Sequence, residues 1–381
     1  MNTYRSPWMT EELEIFRKSV RQFMEEEYRP HQLKWRAQHH ADREAWSKAG
    51  AMGLLLTDVP EEYGGGGGNF AFEAVVIEEL IHAGINFGTQ IQSIVAHYLL
   101  TYGTEQQKQK WLPAMAKGEL VGALAMTEPA AGSDVQAIRT TAIRQGDEYV
   151  INGSKTFITN GYHADLVCLA AKTDPSLPGS KGTSLIMVET RGLPGYRVGR
   201  VLEKLGQHEQ DTCELFFDDV RVPAANLLGP EEGKGFKQMM DQLPYERTLV
   251  AIAGIAAMER AVEITVQHTK ERKMFGKTLF DLQHTRFTLA ECRTEAVIGR
   301  VFIDYCIQQL MAGKLDTATA SMAKYWLTDK QSEIADECLQ LHGGYGYSPE
   351  YEIGNLWVDA RVQRIYAGAN EVMKELIARS L

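Results

Sequence analysis

Two stretches of this chain carry residue types that could do chemistry together. The first, Leu124-Ala125-Met126-Thr127-Glu128-Pro129-Ala130-Ala131-Gly132-Ser133-Asp134, passes from a hydrophobic run into a turn of small residues. The second is Lys155-Thr156-Phe157-Ile158-Thr159-Asn160. Within a short span they supply hydroxyls, backbone N–H groups and one aromatic ring. A flat polar heterocycle with a phosphate tail needs that mixture: a ring to lie against, donors for its heteroatoms, and small residues that let the backbone approach the phosphates. Taken alone, the same residues also read as an ordinary turn beside a hairpin, with Phe157 a core aromatic.

Other chemistries find no support. Gly276-Lys277-Thr278 looks like the end of a phosphate-binding P-loop, but Glu271 stands where its first glycine is required. The run Gly64 to Gly68 yields no G-x-G-x-x-G, because residue 69 is Asn, and no Lys-Ser/Thr follows; it is expected to be a flexible loop. No H-E-x-x-H, no cysteine pair and no dinucleotide fingerprint is present, so no metal site is expected. Cys168, Cys213, Cys292, Cys306 and Cys338 are an odd, scattered set and read as buried thiols of a reducing compartment. The net charge of -10 argues against a nucleic-acid or anionic-membrane partner. The longest apolar run, Leu249 to Met258, is far short of the roughly 18 residues of a membrane span. The opening Met1-Asn2-Thr3-Tyr4-Arg5-Ser6-Pro7 has neither a signal-peptide core nor an amphipathic presequence, which predicts a cytoplasmic protein.

The elements that must position these residues follow from periodicity. From Thr10 to about Gly118 the pattern is helical: Thr10 precedes acids, and Leu13, Phe16, Val20 and Phe23 recur at helical spacing. Helices are also expected over Phe70 to Ala83 and Thr104 to Lys117. Strand signals then hold from Val121 to about Pro223, with Asn152-Gly153 read as a hairpin turn between Glu148–Ile151 and Thr156–Thr159, predicting a small antiparallel barrel or sandwich. Beyond Gly235 four amphipathic segments, Leu249 to Val266, Thr285 to Leu310, Thr317 to Leu341 and Ala369 to Arg379, suffice for a four-helix bundle. The expected organisation is α+β and multidomain: a helical domain over 1–120, a β-domain over 121–228 and a helical bundle over 229–381. That length suits two or three cores.

Ala125-Met126-Thr127-Glu128-Pro129 followed by Ala131-Gly132-Ser133-Asp134 resembles the flavin-contacting signature of the acyl-CoA dehydrogenases, and the resemblance extends over essentially the whole chain. It implies FAD. Leu124, Met126 and Thr127 would follow the pyrimidine edge of the flavin, Gly132 and Ser133 the phosphate side, and Phe157, Ile158 and Thr159 the ring and its N5 edge. Arg272, Phe275, Gln283, Gln340, Leu341, His342, Gly343, Gly344, Ala369, Asn370 and Glu371 match residues that complete FAD sites, many of them holding the adenosine and pyrophosphate of a neighbouring subunit's cofactor. His342 is expected as a turn residue rather than a base. Such a site implies a homotetramer, a dimer of dimers.

Oxidising a thioester at Cα–Cβ requires a base for the α-proton, and a carboxylate in a desolvated pocket is suited to it. Many members of the family carry this base in Tyr-Glu-Gly-Thr near the C-terminus; here that run reads Tyr366-Ala367-Gly368-Ala369. The long-chain and isovaleryl types place it within Leu-x-x-Glu-Arg, which matches Leu243-Pro244-Tyr245-Glu246-Arg247 and nominates Glu246. By the same resemblance Ser133, Tyr245, Arg247, Ala367 and Gly368 would meet substrate, the Ala367 N–H polarising the thioester carbonyl. Read without it, Glu246 is an acid suited to a helix start or kink at Pro244. Ala369 replaces the usual Thr and removes one FAD contact, a net of ~1 kcal/mol. The resemblance is strongest to the long-chain type and implies an electron-transfer flavoprotein as electron acceptor. A flavin oxidase or monooxygenase, and a non-catalytic flavin-binding partner protein, remain open on the same fold.

Overall fold

The structure, a computed structural model, describes residues 4–381; residues 1–3 of the N-terminal stretch read above for a leader lie outside it. Six helices come first: α1 Glu11–Phe23, α2 Gln32–Gln38, α3 Arg43–Ala51, α4 Phe70–His82, α5 Thr89–Tyr102 and α6 Glu105–Ala116. Their starts are chemically marked. The Thr10 hydroxyl accepts from the Leu13 N–H at the head of α1, and Thr104 and Gln107 form a reciprocal capping box on α6. The glycine run is ordered rather than flexible. Its N–H groups bond back to Pro60, Leu56, Val59 and Thr57 carbonyls, and a Cβ on Gly65 would stand 2.2 Å from the Val59 oxygen.

Strands follow: β1 Gly122–Ala125, β2 Thr141–Gln145, β3 Glu148–Thr159, β4 Leu166–Lys172, then the single turn α7 Gly179–Gly182, and β5 Thr183–Glu189, β6 Tyr196–Val201 and β7 Thr212–Pro223. They make one seven-stranded curled sheet in the order β1-β4-β2-β3-β7-β6, with β5 beside β4. Most pairs are antiparallel, but β4 runs parallel to β1 and touches β2 in parallel. The Asn152-Gly153 turn is a correction. The chain reverses at residues 146–147, where Gly146 takes φ +65°, and β3 runs unbroken through Asn152-Gly153 as a bulge. There the Asn152 amide bonds Asp219, and a Cβ on Gly153 would strike Thr140.

The last third contains α8 Gly235–Glu271, a small hairpin of β8 Lys273–Met274 and β9 Lys277–Thr278, α9 Gln283–Met311, α10 Thr317–His342, α11 Glu352–Ala360 and α12 Asn370–Ala378. Helix α8 starts well before Leu249 and carries Pro244 in its interior. Apolar periodicity missed that part because its buried face includes Glu246 and Arg247. Strand β4 joins two cores: Leu166, Cys168 and Ala170 face the helices, while Val167, Leu169 and Ala171 fill the curl of the sheet. Among the described residues no helix is long and apolar enough to cross a membrane, and no group of ligands could hold a metal.

Candidate active site

The loop after β1 is held from beneath by a buried ion pair. Lys155 Nζ donates to the Met126 carbonyl at 3.0 Å and to Glu128 Oε1 at 2.9 Å, and Glu128 also accepts from the Arg139 and Thr140 N–H groups. Burial alone would raise the Glu128 carboxyl, but Lys155 and these donors bring it below the ordinary carboxylate value. Burial lowers Lys155 to about 8, against the pull of Glu128. The Thr156 N–H adds a bond to the Thr127 carbonyl. The loop's carbonyls are therefore engaged from within. Its N–H groups at Met126, Thr127, Gly132 and Ser133 find no acceptor among the described residues.

Phe157 sits at a second bulge of β3, with φ +57° and two-thirds of its surface exposed. A large apolar ring on a left-handed backbone is costly. Ile158 turns into the sheet's interior, so its side chain cannot reach a cofactor, and Thr159 is half-buried beside it. Exposed ring, free hydroxyls and unpaired N–H groups fit the edge and phosphates of a flavin dinucleotide, with Leu124 and Met126 partly buried at the base.

Helices α5 and α8 bring a second constellation together. Glu246 is 5% exposed, and Tyr98 Oη donates to its Oε1 at 2.9 Å. Burial pushes the carboxyl up to about 7, against the Tyr98 bond and the Arg247 charge. The adjacent pair is stacked as well: the Tyr245 ring lies 4.0 Å from His97, whose Nε2 is 3.1 Å from both Asp58 oxygens. Tyr245 Oη is buried without a partner among the described residues. Arg247 is buried too; Nη1 donates to Ser321 Oγ at 3.0 Å, while Nε has no partner among those residues. Its pKa is lowered by burial to about 10, so it stays charged. The helix start that would have explained Glu246 as a dipole partner is absent, since α8 begins at Gly235 and carries Pro244 in its interior.

The turn before α12 faces Arg247. Ala367 and Gly368 take φ +51° and +88°, and a Cβ on Gly368 would lie 3.9 Å from Arg247 Nη2. The Ala367 N–H has no acceptor among the described residues. Ala369 caps α12 without any side-chain bond, and Glu371 is exposed in its first turn. Asn370 departs from the expected cofactor role: its amide is spent on Tyr325, Thr328 and Asp329 of α10, and its oxygen on Lys324.

The remaining expected residues form an exposed patch at the far ends of α8 and α10. Arg272 lies over the Tyr345 ring at 5.4 Å, joining the β8–β9 hairpin, with Phe275 at its tip, to the Gly343-Gly344 turn. Gln283 heads α9 and Gln340 is exposed, with Leu341 half-buried beside it. His342, expected as a turn residue, is instead the last residue of α10; it is turned inward, stacked on His268 at 4.2 Å with Nδ1 on the Cys338 carbonyl. No hydrogen bond, ion pair or ring contact among the described residues joins this patch to Phe157 or Met126 of the same chain. Sequence reasoning missed Tyr98, Lys155, Glu128 as an ion-pair partner, and Lys324. Tyr98 stands 148 residues from Glu246, and no local pattern announces such a pair.

The chain matches three family models in succession: the acyl-CoA dehydrogenase N-terminal domain over residues 10–119, the middle domain over 123–220 and the C-terminal domain over 233–381. It is 48% identical over 373 residues to the mitochondrial long-chain specific acyl-CoA dehydrogenase of Mus musculus, covering 97% of this chain and 86% of that one. The crystal structure of an acyl-CoA dehydrogenase from Geobacillus kaustophilus superposes with a TM-score of 0.95 at 48% identity, covering 99% of both chains. A glutaryl-CoA dehydrogenase from Mycobacterium smegmatis, solved in complex with FADH2, superposes with a TM-score of 0.91 at 27% identity, covering 97% of this chain and 94% of that one.

Proposed function

The chain belongs to the acyl-CoA dehydrogenases, FAD-dependent oxidoreductases, and from that premise we propose that it converts a medium- to long-chain or branched acyl-CoA to the trans-2-enoyl-CoA, with electrons passing to an electron-transfer flavoprotein. FAD, when bound, supplies the acceptor for the hydride that leaves Cβ. The protein's own part is to take a weakly acidic α-proton and to hold the thioester while it does so. Glu246 is the base. The observation that carries the reading is its buried carboxyl, raised to about 7 by desolvation and held by the Tyr98 hydroxyl, while no carboxylate occupies residue 367. A base poised near neutrality is half ionised where the enzyme works, and removing water strengthens its basicity. Ala367 offers its N–H to the thioester carbonyl, Tyr245 and Arg247 border the acyl group, and Ser133 meets the substrate near the loop. Leu124, Met126, Thr127, Gly132, Ser133, Phe157 and Thr159 hold the flavin end of FAD.

The patch of Arg272, Phe275, Gln283, Gln340 and Gly343-Gly344 serves the FAD of a second copy, within a homotetramer of the cytoplasm. Exposed Phe287, Ile298, Val301 and Tyr305 on α9 support an assembly, and five buried free cysteines support a reducing compartment. Arg272→Glu sets a negative charge beside a pyrophosphate. FAD should be lost while helical content survives, and a monomer that keeps stoichiometric FAD overturns the shared site. For the reaction, anaerobic mixing with straight and branched acyl-CoAs while following flavin absorbance reads activity and chain preference together. No bleaching with any acyl-CoA rejects the proposal, and rapid reoxidation by oxygen after bleaching identifies an oxidase instead.

A further inference from the structure

Lys324 of α10 is the least expected charge near the site. It is fully buried, and no carboxylate lies within salt-bridge distance among the described residues. Burying an ammonium in that way is expensive unless its hydrogens are fully used. Two of them are used on one short segment: Nζ donates to the Gly368 carbonyl at 2.7 Å and to Asn370 Oδ1 at 2.9 Å. That segment is the left-handed pair Ala367-Gly368, which a polypeptide does not hold without support. One turn earlier on the same helix, Ser321 takes the Arg247 guanidinium. Lys324 and Arg247 therefore meet at the Ala367-Gly368 turn; burial and the Arg247 charge lower Lys324 to about 7, against the pull of Asp329 and Glu371.

We propose that Lys324 is a positioning residue for the thioester carbonyl: by fixing the Gly368 carbonyl it aims the Ala367 N–H at the enolate oxygen that forms there. This rests on the reading of Glu246 and Ala367 given above. When the α-C–H bond breaks, the proton passes to a Glu246 carboxylate oxygen and the electron pair moves into the thioester carbonyl, whose oxygen becomes negative. A preset N–H donor, held in place by Lys324, needs no reorganisation at that moment, and donors so placed contribute about 10²- to 10³-fold. A purely structural Lys324 would instead pin α12 to α10, with no effect on proton removal beyond any loss of fold.

The test reads proton removal without hydride transfer. In 3-thiaoctanoyl-CoA a sulfur replaces Cβ, so the FAD-loaded enzyme can exchange the α-protons with D2O but cannot oxidise the ligand; mass spectrometry follows the exchange. Lys324→Met should slow it at least tenfold while the ligand dissociation constant stays within about threefold. Lys324→Gln keeps a donor without the charge and should fall between Lys324→Met and the parent; if Lys324→Met does not retain FAD, Lys324→Gln carries the test with at least a threefold loss. Parent-like exchange in the variants that fold, or a loss matched by an equal loss of affinity, overturns the proposal. Glu246→Gln separates the two readings. If it still exchanges, the base is elsewhere and the site reading fails; if it is silent while the Lys324 variants match the parent, only the role of Lys324 fails.

Discussion

Glu128 and Glu246 are both nearly closed to solvent, 6% and 5% exposed, yet they are shifted in opposite directions. Under the β1 loop, Glu128 meets an ammonium at 2.9 Å and two backbone N–H groups, and it is held ionised. Between α5 and α8, Glu246 meets one phenol and no ion-pair contact among the described residues, and it is raised to about 7. Glu246 lies the deeper of the two and Glu128 has the more partners, and both differences push the same way. A fully compensated carboxylate stabilises a loop and is inert, whereas an under-compensated one binds a proton more tightly than a free carboxyl and can take one up and release it near neutrality.

The largest effect expected from breaking this contrast is in catalysis. Glu246→Gln keeps shape and hydrogen bonding but removes the proton acceptor, so flavin reduction by acyl-CoA should fall ~10²- to 10⁴-fold or more, with FAD and ligand still bound. The same variant tests the burial cost. The folded carboxyl is raised above its unfolded value near 4.5, so the folded state binds the proton more tightly, and this group's contribution weakens as pH rises from about 4.5 to about 7. Glu246→Gln should therefore match the parent in urea unfolding at pH 4.5 and exceed it above pH 7; a constant offset at all pH values would refute the shift.

Breaking the compensated pair comes next. Lys155→Met strands the Glu128 carboxylate in the core and should cost about 3–5 kcal/mol by urea unfolding, with FAD lost from the Met126–Thr127 loop. Adding Glu128→Gln should recover most of that cost; if it recovers none, the ion pair is not what matters there. A smaller change sharpens the other side. Tyr98→Phe removes the only side-chain hydrogen bond to Glu246 among the described residues, worth about 1.5–3 kcal/mol for a charged acceptor. Because that bond lowers the Glu246 pKa, its loss should move the acidic limb of the kcat/KM profile upward by about one unit or more. The smallest effect belongs to α12. Ala369→Thr supplies the missing N-cap, about 1 kcal/mol in thermal unfolding, and should tighten FAD binding modestly by equilibrium dialysis.

How much of this was legible follows from how local each interaction is. The helix–strand–helix order was legible because periodicity of 3.6 or 2 is a near-neighbour property, and the Met126–Asp134 turn because its residue types are contiguous. Asn152-Gly153 misled because the pair suits a left-handed turn or a bulge equally well, and the choice between them is made by Asp219 and Thr140 across the sheet. Glu246 reads locally as an acid beside a proline; its raised pKa comes from Tyr98 on another helix, and its role was accessible only through the Leu-x-x-Glu-Arg resemblance. Asn370 and Lys324 were opaque in the same way, since each is explained by the other.

The left-handed backbone at Ala367 bears on how such an enzyme can change over time. A positive φ penalises β-branched side chains far more than unbranched ones, so at residue 367 the main chain accepts alanine or glutamate on nearly equal terms and resists valine or isoleucine. The scaffold therefore offers two sockets for one proton acceptor, on α8 and on this turn. A carboxylate can migrate between them by two single substitutions, with no rebuilding of the turn. Glu246→Gln/Ala367→Glu retraces that path, and recovery of flavin reduction in the double variant would show the scaffold to be indifferent to which socket is filled.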